Sequence, residues 1–260
     1  MKNLAIFFFL FLIIIVSAPC KNNPPTDFYF EANKEFTEIT IYRYDGKTNN
    51  VVIPSEIEGI PVTAIDSFFA PLTNPTKIKS VIIPDTVKRI GKEAFSQCTE
   101  LKTVKLSNNL ETIGRLAFFM DDKLEIIVFP ESLKVIDENA FAGCKSLKKA
   151  ELKNVEFLGM GAFNSTNLNS VSLPSSLKYI GSNAFGNCDN IESINIPDDF
   201  PAIYFGNFNK PGEYSLKEVF SGKKINTSIA LQKQISQTKM QSSKEALETA
   251  SKKYNVYIPH

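Results

Sequence analysis

The stretch IGKEAFSQCTELKTV, residues 90–104, returns as IDENAFAGCKSLKKA, residues 136–150, and as IGSNAFGNCDNIESI, residues 180–194. Alignment on the Ala-Phe pair marks Phe95, Phe118, Phe141, Phe163, Phe185 and Phe208, spaced 23, 23, 22, 22 and 23 residues apart, with Phe69 as an imperfect first member. One phrase in many copies is either a repeated catalytic motif or a structural unit that must stack on itself. The regular period favours stacking, because a unit of this length cannot bury its apolar face alone and covers it with the next unit.

Each unit opens on an alternating run: SVIIP from Ser80, TVKLS from Thr103, IIVFP from Ile126, SVSLP from Ser170 and SINIP from Ser193. Period two means a half-buried strand. Val81 and Ile83, Val104 and Leu106, Val171 and Leu173, and Ile194 and Ile196 point inward, and the Pro that follows most runs ends the ladder where its missing N–H does no harm. Val87, Leu110, Leu133 and Leu177 turn the chain inward again, followed by Ile90, Ile113, Ile136 and Ile180. The glycines next to these, Gly91, Gly114, Gly159 and Gly181, are expected to permit a sharp or left-handed backbone. Small Ala94, Ala117, Ala140, Ala162 and Ala184 let coils approach, and the adjacent Phe side chains form a spine.

V-x-I-P, then I-G-x-x-A-F-x-x-C, then L-x-x-V resembles the BspA-type leucine-rich repeat, over about residues 51–219. The preceding FTEITIYRYDGKTNNVVIPSEIEGIPVTAI resembles that family's opening hairpin segment. The resemblance implies a leucine-rich repeat solenoid, mainly short parallel β-strands with irregular or short-helical return segments. It also implies adhesion to host or matrix proteins, or to other cells. The coil around AELKNVEFLGMGAF is short, and the coils at residues 120–123 and 164–168 lack the Cys. After Val219 the rhythm is lost. SSKEALETASKK reads as a helix with Ser242 and Glu245 at capping-box spacing, and YNVYIP alternates like a strand.

The chain begins with Lys2 and an apolar run from Leu4 to Val16, too short for the roughly 20 residues a membrane helix needs, then Ser17 and Ala18. This is a secretion signal. SAPC resembles the lipobox of bacterial lipoproteins, which makes Cys20 the lipidated first mature residue, although Pro19 departs from the usual small residue. The expected organisation is a signal peptide over residues 1–19, a linker over 20–26, an N-terminal β cap over 27–50, the solenoid over 51–218, and a C-terminal cap or tail, partly helical, over 219–260. The expected location is the cell surface or outer membrane, otherwise secretion. A formal charge of +1, from 29 basic and 28 acidic residues, argues against nucleic acid or an anionic membrane face as partner. Membrane contact is expected only through Cys20.

Cys98, Cys144 and Cys188 share one repeat position in alternate coils, about 10 Å apart, beyond the roughly 7 Å Cα limit of a disulfide. They read as buried small hydrophobes. The same separation speaks against a metal cluster, and no cofactor is expected. The only His is His260, so Ser-His-Asp or Cys-His chemistry lacks a base inside the repeats. The pairs Asp121 with Asp122 and Asp198 with Asp199 read as solvated turn residues. The expected protein is not an enzyme.

Outward strand positions vary from coil to coil in charge and size, which packing does not explain. One line is Lys79, Lys102, Glu125, Lys148, Asn169, Glu192 and Lys217, and a second is Ile82, Lys105, Val128, Glu151, Ser172 and Asn195. Lys102, Lys105, Ile126, Val128, Lys148, Lys149 and Glu151 are the expected contacts of an extracellular protein ligand. A glycan-binding or nutrient-capture lipoprotein is the alternative, and it calls for exposed aromatic platforms, for which Tyr179, Tyr204 and Tyr214 are candidates.

Overall fold

The computed structural model describes residues 22–66, 77–197, 204–206 and 224–226. The leader, Cys20, Phe69, Phe208 and the helix expected near residue 245 lie outside the described residues. The chain opens with β1 (Phe28–Ala32) and β2 (Ile39–Tyr44), followed by β3 (Asn50–Val52), β4 (Glu56–Ile57) and β5 (Ile60–Ile65). It then lays down two short strands per coil: β6 (Ser80–Ile82) and β7 (Arg89–Ile90), β8 (Thr103–Lys105) and β9 (Thr112–Ile113), β10 (Ile126–Ile127) and β11 (Val135–Ile136). β12 (Lys149–Ala150) and β13 (Phe157–Leu158), β14 (Val171–Ser172) and β15 (Tyr179–Gly181), β16 (Ser193–Asn195) and β17 (Tyr204–Gly206), and finally β18 (Lys224–Asn226) complete the series. The result is a β-solenoid with almost no helix among the described residues, where a 3-10 turn covers Pro25–Asp27.

The front strands expected from alternation form a parallel sheet in the order β12-β10-β8-β6-β3, with a second group β14-β16-β18. Val81, Ile83, Leu106, Val171, Leu173, Ile194 and Ile196 are buried, as their alternation requires, and Val104 is half-buried. The sheet breaks at the short coil. Val81, Val104, Ile127 and Ala150 follow one another at 23 residues, but Val171 comes after only 21, and β12 does not pair with β14.

The second strand of each coil was not legible as a strand, since two or three residues are too few to show alternation. Together these strands make the longer sheet, β1-β2-β5-β7-β9-β11-β13-β15-β17, in which β1 and β2 are antiparallel and the rest parallel. Ile90, Ile113, Ile136, Leu158 and Ile180 are its inward row, each fully buried.

The repeated phrase forms the corner between the sheets. The residue before each Ala-Phe pair is left-handed, at Glu93, Leu116, Asn139, Gly161 and Asn183, and so is the residue two after each Phe, at Gln97, Met120, Gly143, Ser165 and Asn187. With a left-handed residue at each end of the corner, four positions apart, every second N–H of it points along the stack. Glu93, Phe95 and Gln97 donate to the carbonyls of Arg115, Ala117 and Phe119 at 2.9, 2.7 and 2.7 Å, and the next coils repeat the pattern. The glycines beside the buried Ile row are a correction: Gly91, Gly114, Gly159 and Gly181 are not left-handed. Gly114, Gly159 and Gly181 are required by close backbone approach, because a Cβ falls 2.8 Å from the Gly91 carbonyl carbon, 2.4 Å from the Glu138 nitrogen and 2.3 Å from that of Met160, while one at Gly91 meets the Asp66 carboxylate at 2.2 Å.

Inside the corner, Phe95, Phe118, Phe141, Phe163 and Phe185 stack face to face with centroids 5.1, 5.0, 5.2 and 5.6 Å apart. Phe129 packs its tilted ring against Phe141 at 5.6 Å. Beside the spine runs a second buried line, Cys98, Asp121, Cys144, Thr166 and Cys188. The three cysteines are free, and the coils that lack Cys place Asp121 and Thr166 at its position. The Cys144 and Cys188 thiols donate to the carbonyls of Phe118 and Phe163, each at 3.0 Å, and the Thr166 hydroxyl also donates to Phe163, at 2.9 Å.

Asp121 is therefore not a solvated turn residue. Its side chain is fully buried, with Oδ1 accepting the Cys98 N–H at 2.8 Å and no hydrogen-bond partner at Oδ2. Desolvation raises its pKa well above the ordinary carboxylate range, and neighbouring Asp122 adds to the rise. The groups facing it are the buried thiols of Cys98 and Cys144 and the Asp122 carboxylate, itself 3.6 Å from Lys145. A carboxyl whose folded pKa exceeds its unfolded one favours folding fully below the unfolded value, about 3.9. That contribution is lost as pH rises through the folded value.

Two outcomes follow from this packing. Phe141→Ala removes a ring held between two others and is expected to cost roughly 3 to 5 kcal/mol in denaturant unfolding. Asp121→Thr, the residue the next Cys-free coil uses, is expected to gain on the parent as pH rises from about 4 to 8. Urea midpoints measured across that range check it, and a difference that stays constant or grows on acidification contradicts a buried neutral carboxyl.

Candidate functional site

The outer side of the front sheet carries three lines of side chains. Register joins Ser80 to Thr103, Thr103 to Ile126 and Ile126 to Lys149, and it joins Ile82 to Lys105. Backbone bonds from Lys102 to Lys79 and from Lys148 to Glu125 tie the line that precedes the strands. Adjacent strands lie about 4.8 Å apart, so neighbours along a line touch.

The seven expected contact residues are all exposed on this side. Ile126 and Val128 are 57% and 67% exposed, two residues apart on one strand edge, while their inward neighbours Ile127 and Phe129 are buried. Ile82 is half-buried and contributes less than its sequence position suggests. Elsewhere the same lines hold Thr103, Ser170, Ser172 and Asn195, all exposed and polar. Ile126 and Val128 are thus the exposed aliphatic side chains of this sheet among the described residues, on a face otherwise polar except for half-buried Val52 and Ile82.

Around them the charges are unequally committed. Lys149 Nζ meets Glu151 Oε1 at 2.7 Å, and this hydrogen bond is the main reason the Glu151 pKa is lowered. Glu100 is bound by Lys123, which lowers its pKa, with smaller contributions from Lys79 and Lys102. Lys102, Lys105 and Lys148 form no ion pair among the described residues, so their ammonium groups remain available on both sides of the aliphatic pair. Such a surface can cover an apolar contact and meet acidic groups at its rim, the arrangement of a protein interface.

Other expected sites fall differently. Tyr179 is buried and stacks on Phe157 at 4.6 Å, so it is no exposed platform. The Tyr204 side chain, Tyr214, Lys217 and His260 lie outside the described residues. The exposed aromatics that sequence reasoning missed are Tyr29, Tyr42 and Phe36 on the β1–β2 hairpin, 46%, 38% and 70% exposed. Alternation in FYFEA and ITIYRY was the available signal for the two tyrosines. Among the described residues no group of three or more His, Cys, Asp or Glu is placed to hold a metal ion.

No curated protein is similar at a significant level. Among solved structures, a leucine-rich repeat protein of T. pallidum is similar at 33% identity and a TM-score of 0.63, with 72% of this chain and 86% of that one covered. One from Bacteroides ovatus shares 25% identity over 70% of this chain and 54% of its own, with a TM-score of 0.49. A leucine-rich cell surface protein of Faecalibacterium prausnitzii shares 20% identity over 73% and 76%, with a TM-score of 0.43. The profile of the BspA-type leucine-rich repeat region matches residues 69–192 and 152–251 in 6 copies. The chain belongs to the BspA-type leucine-rich repeat family.

Proposed function

We propose that the protein is a non-enzymatic binding protein, exported and displayed at the cell surface, which recognises host or matrix proteins or other cells through the front sheet. The observation that carries this reading is the pair Ile126 and Val128, exposed on a mainly polar sheet face and flanked by uncommitted lysines. Family membership supports it, since stacked repeats present extended surfaces of this kind to macromolecules. Export rests on the leader, and anchoring rests on Cys20.

Reversal at Lys105 and Lys148, as Lys105→Glu and Lys148→Glu, tests the face. Against an array of immobilised extracellular proteins, the double variant is expected to lose about tenfold in affinity at low salt and less at high salt, with thermal stability nearly unchanged. Lys88→Glu, at an exposed position off the front sheet, is the control. Lys134 serves less well there, because it lies 3.7 Å from Glu156 and its reversal disturbs that pair. Equal losses from both sets indicate non-specific charge, and no loss from either moves the site away from the front sheet.

Cys20→Ala tests the anchor separately. Fractionation is expected to shift the variant from membrane to soluble fractions with its circular dichroism unchanged. Equal membrane association of the two forms returns the leader to an ordinary secreted type.

A further inference from the structure

We propose that the β1–β2 hairpin is a membrane-docking surface, which lays its exposed aromatic side chains against the neutral headgroup region of the bilayer that holds the Cys20 lipid. The proposal rests on the anchoring at Cys20 and adds a second contact to it. Asn23, three residues after Cys20, is buried and tied down. Its Nδ2 donates to Asp27 Oδ2 at 2.9 Å and to Tyr44 Oη at 3.1 Å, while its Oδ1 accepts the Val52 N–H at 2.8 Å. Tyr44 ends β2 and is the register partner of Phe28, so the base of the hairpin lies at this tether. Three residues reach at most about 11 Å, and an acylated Cys20 therefore holds this end of the solenoid against the bilayer.

On the hairpin, Phe28, Ile41 and Tyr44 are buried, whereas Tyr29 and Tyr42 are exposed with ring centroids 6.4 Å apart. Phe36 stands at the tip, 70% exposed and left-handed at a φ of 53°. Bulky residues rarely adopt that conformation, yet the tip is firmly built around it. The Phe36 N–H donates to the Asn33 carbonyl at 3.0 Å, and Asn33 Oδ1 accepts from the Thr37 and Glu38 N–H groups at 2.8 and 3.2 Å. An exposed ring held on an unfavourable backbone contributes nothing to folding, which points to a contact outside the chain.

The rings suit an interface of lipid and water better than a sugar. The Arg43 guanidinium covers one face of Tyr29, 4.6 Å from its centroid, and the Tyr42 ring is tilted 51° from that of Tyr29, so the two make no flat platform for a pyranose. Tyrosine instead sets an apolar ring beside a hydroxyl that stays among headgroups, and phenylalanine enters further. Charge selects the lipid. Arg43 is paired with Asp45, and exposed Glu31, Glu35 and Glu38 outnumber Lys34, so an anionic surface repels the hairpin and a zwitterionic one does not. A bilayer at this end also sets the direction of the rest. β3, which receives Asn23, is followed in its sheet by β6, β8 and β10, so Ile126 stands three coils along the stack, about 14 Å from β3 and clear of the lipid.

The chain contains no Trp, so Phe36→Trp provides a fluorescent reporter of the tip alone. The exported chain is coupled through the Cys20 thiol to a maleimide lipid in phosphatidylcholine vesicles that include brominated phosphatidylcholine as quencher, and the buried thiols of Cys98, Cys144 and Cys188 stay unlabelled. Quenching at Phe36→Trp is expected to be at least about threefold stronger than at Val128→Trp on the front sheet, and adding Tyr29→Ser and Tyr42→Ser is expected to lower it by about half. Phosphatidylglycerol in the vesicles is expected to bring no gain. If the double tyrosine variant fails to fold by circular dichroism, Tyr29→Ser alone takes its place. Coupling supplies the anchor whether or not a cell acylates Cys20, so a failed anchor shows in the Cys20→Ala fractionation and a failed docking shows here. Equal quenching at the two reporters, a signal unchanged by the tyrosine variants, or quenching that grows with phosphatidylglycerol overturns the proposal. So does the absence of quenching at Phe36→Trp, the result that a soluble glycan or protein ligand for these rings requires.

Discussion

Coil rests on coil through a corner in which two left-handed residues stand four apart, as at Glu93 and Gln97, and the amides of Glu93, Phe95 and Gln97 point along the stack. Everything else depends on this contact. It sets the interval at which Phe95, Phe118, Phe141, Phe163 and Phe185 meet ring to ring, and the two parallel sheets inherit the same interval. L-residues pay on the order of 1–2 kcal/mol for the left-handed conformation. Gly143, Asn139 and Asn187 relieve the cost, whereas Leu116 and Gln97 bear it, and the stacking of buried rings offsets it.

A lattice so strict makes each departure informative. Asp121 and Thr166 stand where other coils bury a thiol. Thr166 satisfies its hydroxyl on the same carbonyl that Cys188 uses, and Asp121 keeps one oxygen unpaired. The coil after Ala150 is two residues short on the front side, and there the front sheet splits while the longer sheet runs on. Asp66 and Asp137 stand where other coils carry glycine, and the Asp66 carboxylate reaches over Gly91 to accept from Arg89. In each case the repeat supplies the frame and the exception supplies the chemistry.

The front face follows the same logic in reverse. Inward positions are uniform because they share one environment, and outward positions are free to differ. The sequence showed that freedom through Lys102, Lys105, Val128 and Glu151, since alternation assigns a side chain to one face or the other without knowledge of distance. It did not show that Lys149 is spent on Glu151, or that Ile82 is half covered, because both depend on where side chains end.

From the sequence by itself came the repeat, its period, the inward residues, the spine of phenylalanines and the unlinked cysteines, all of which are consequences of periodicity along one axis. Tertiary structure alone decided the second sheet, whose strands within the repeats, two or three residues long, are too short for any pattern to register. It also reassigned Gly159 and Gly181 from backbone freedom to close approach, a matter of one coil's backbone lying 2.3 to 2.4 Å from an absent Cβ of the next. The burial of Asp121 and the pairing of Asp66 with Arg89 were hidden for one physical reason. Both arise from residues 23 or more positions apart brought side by side, and local sequence carries no record of which neighbour the stack will provide.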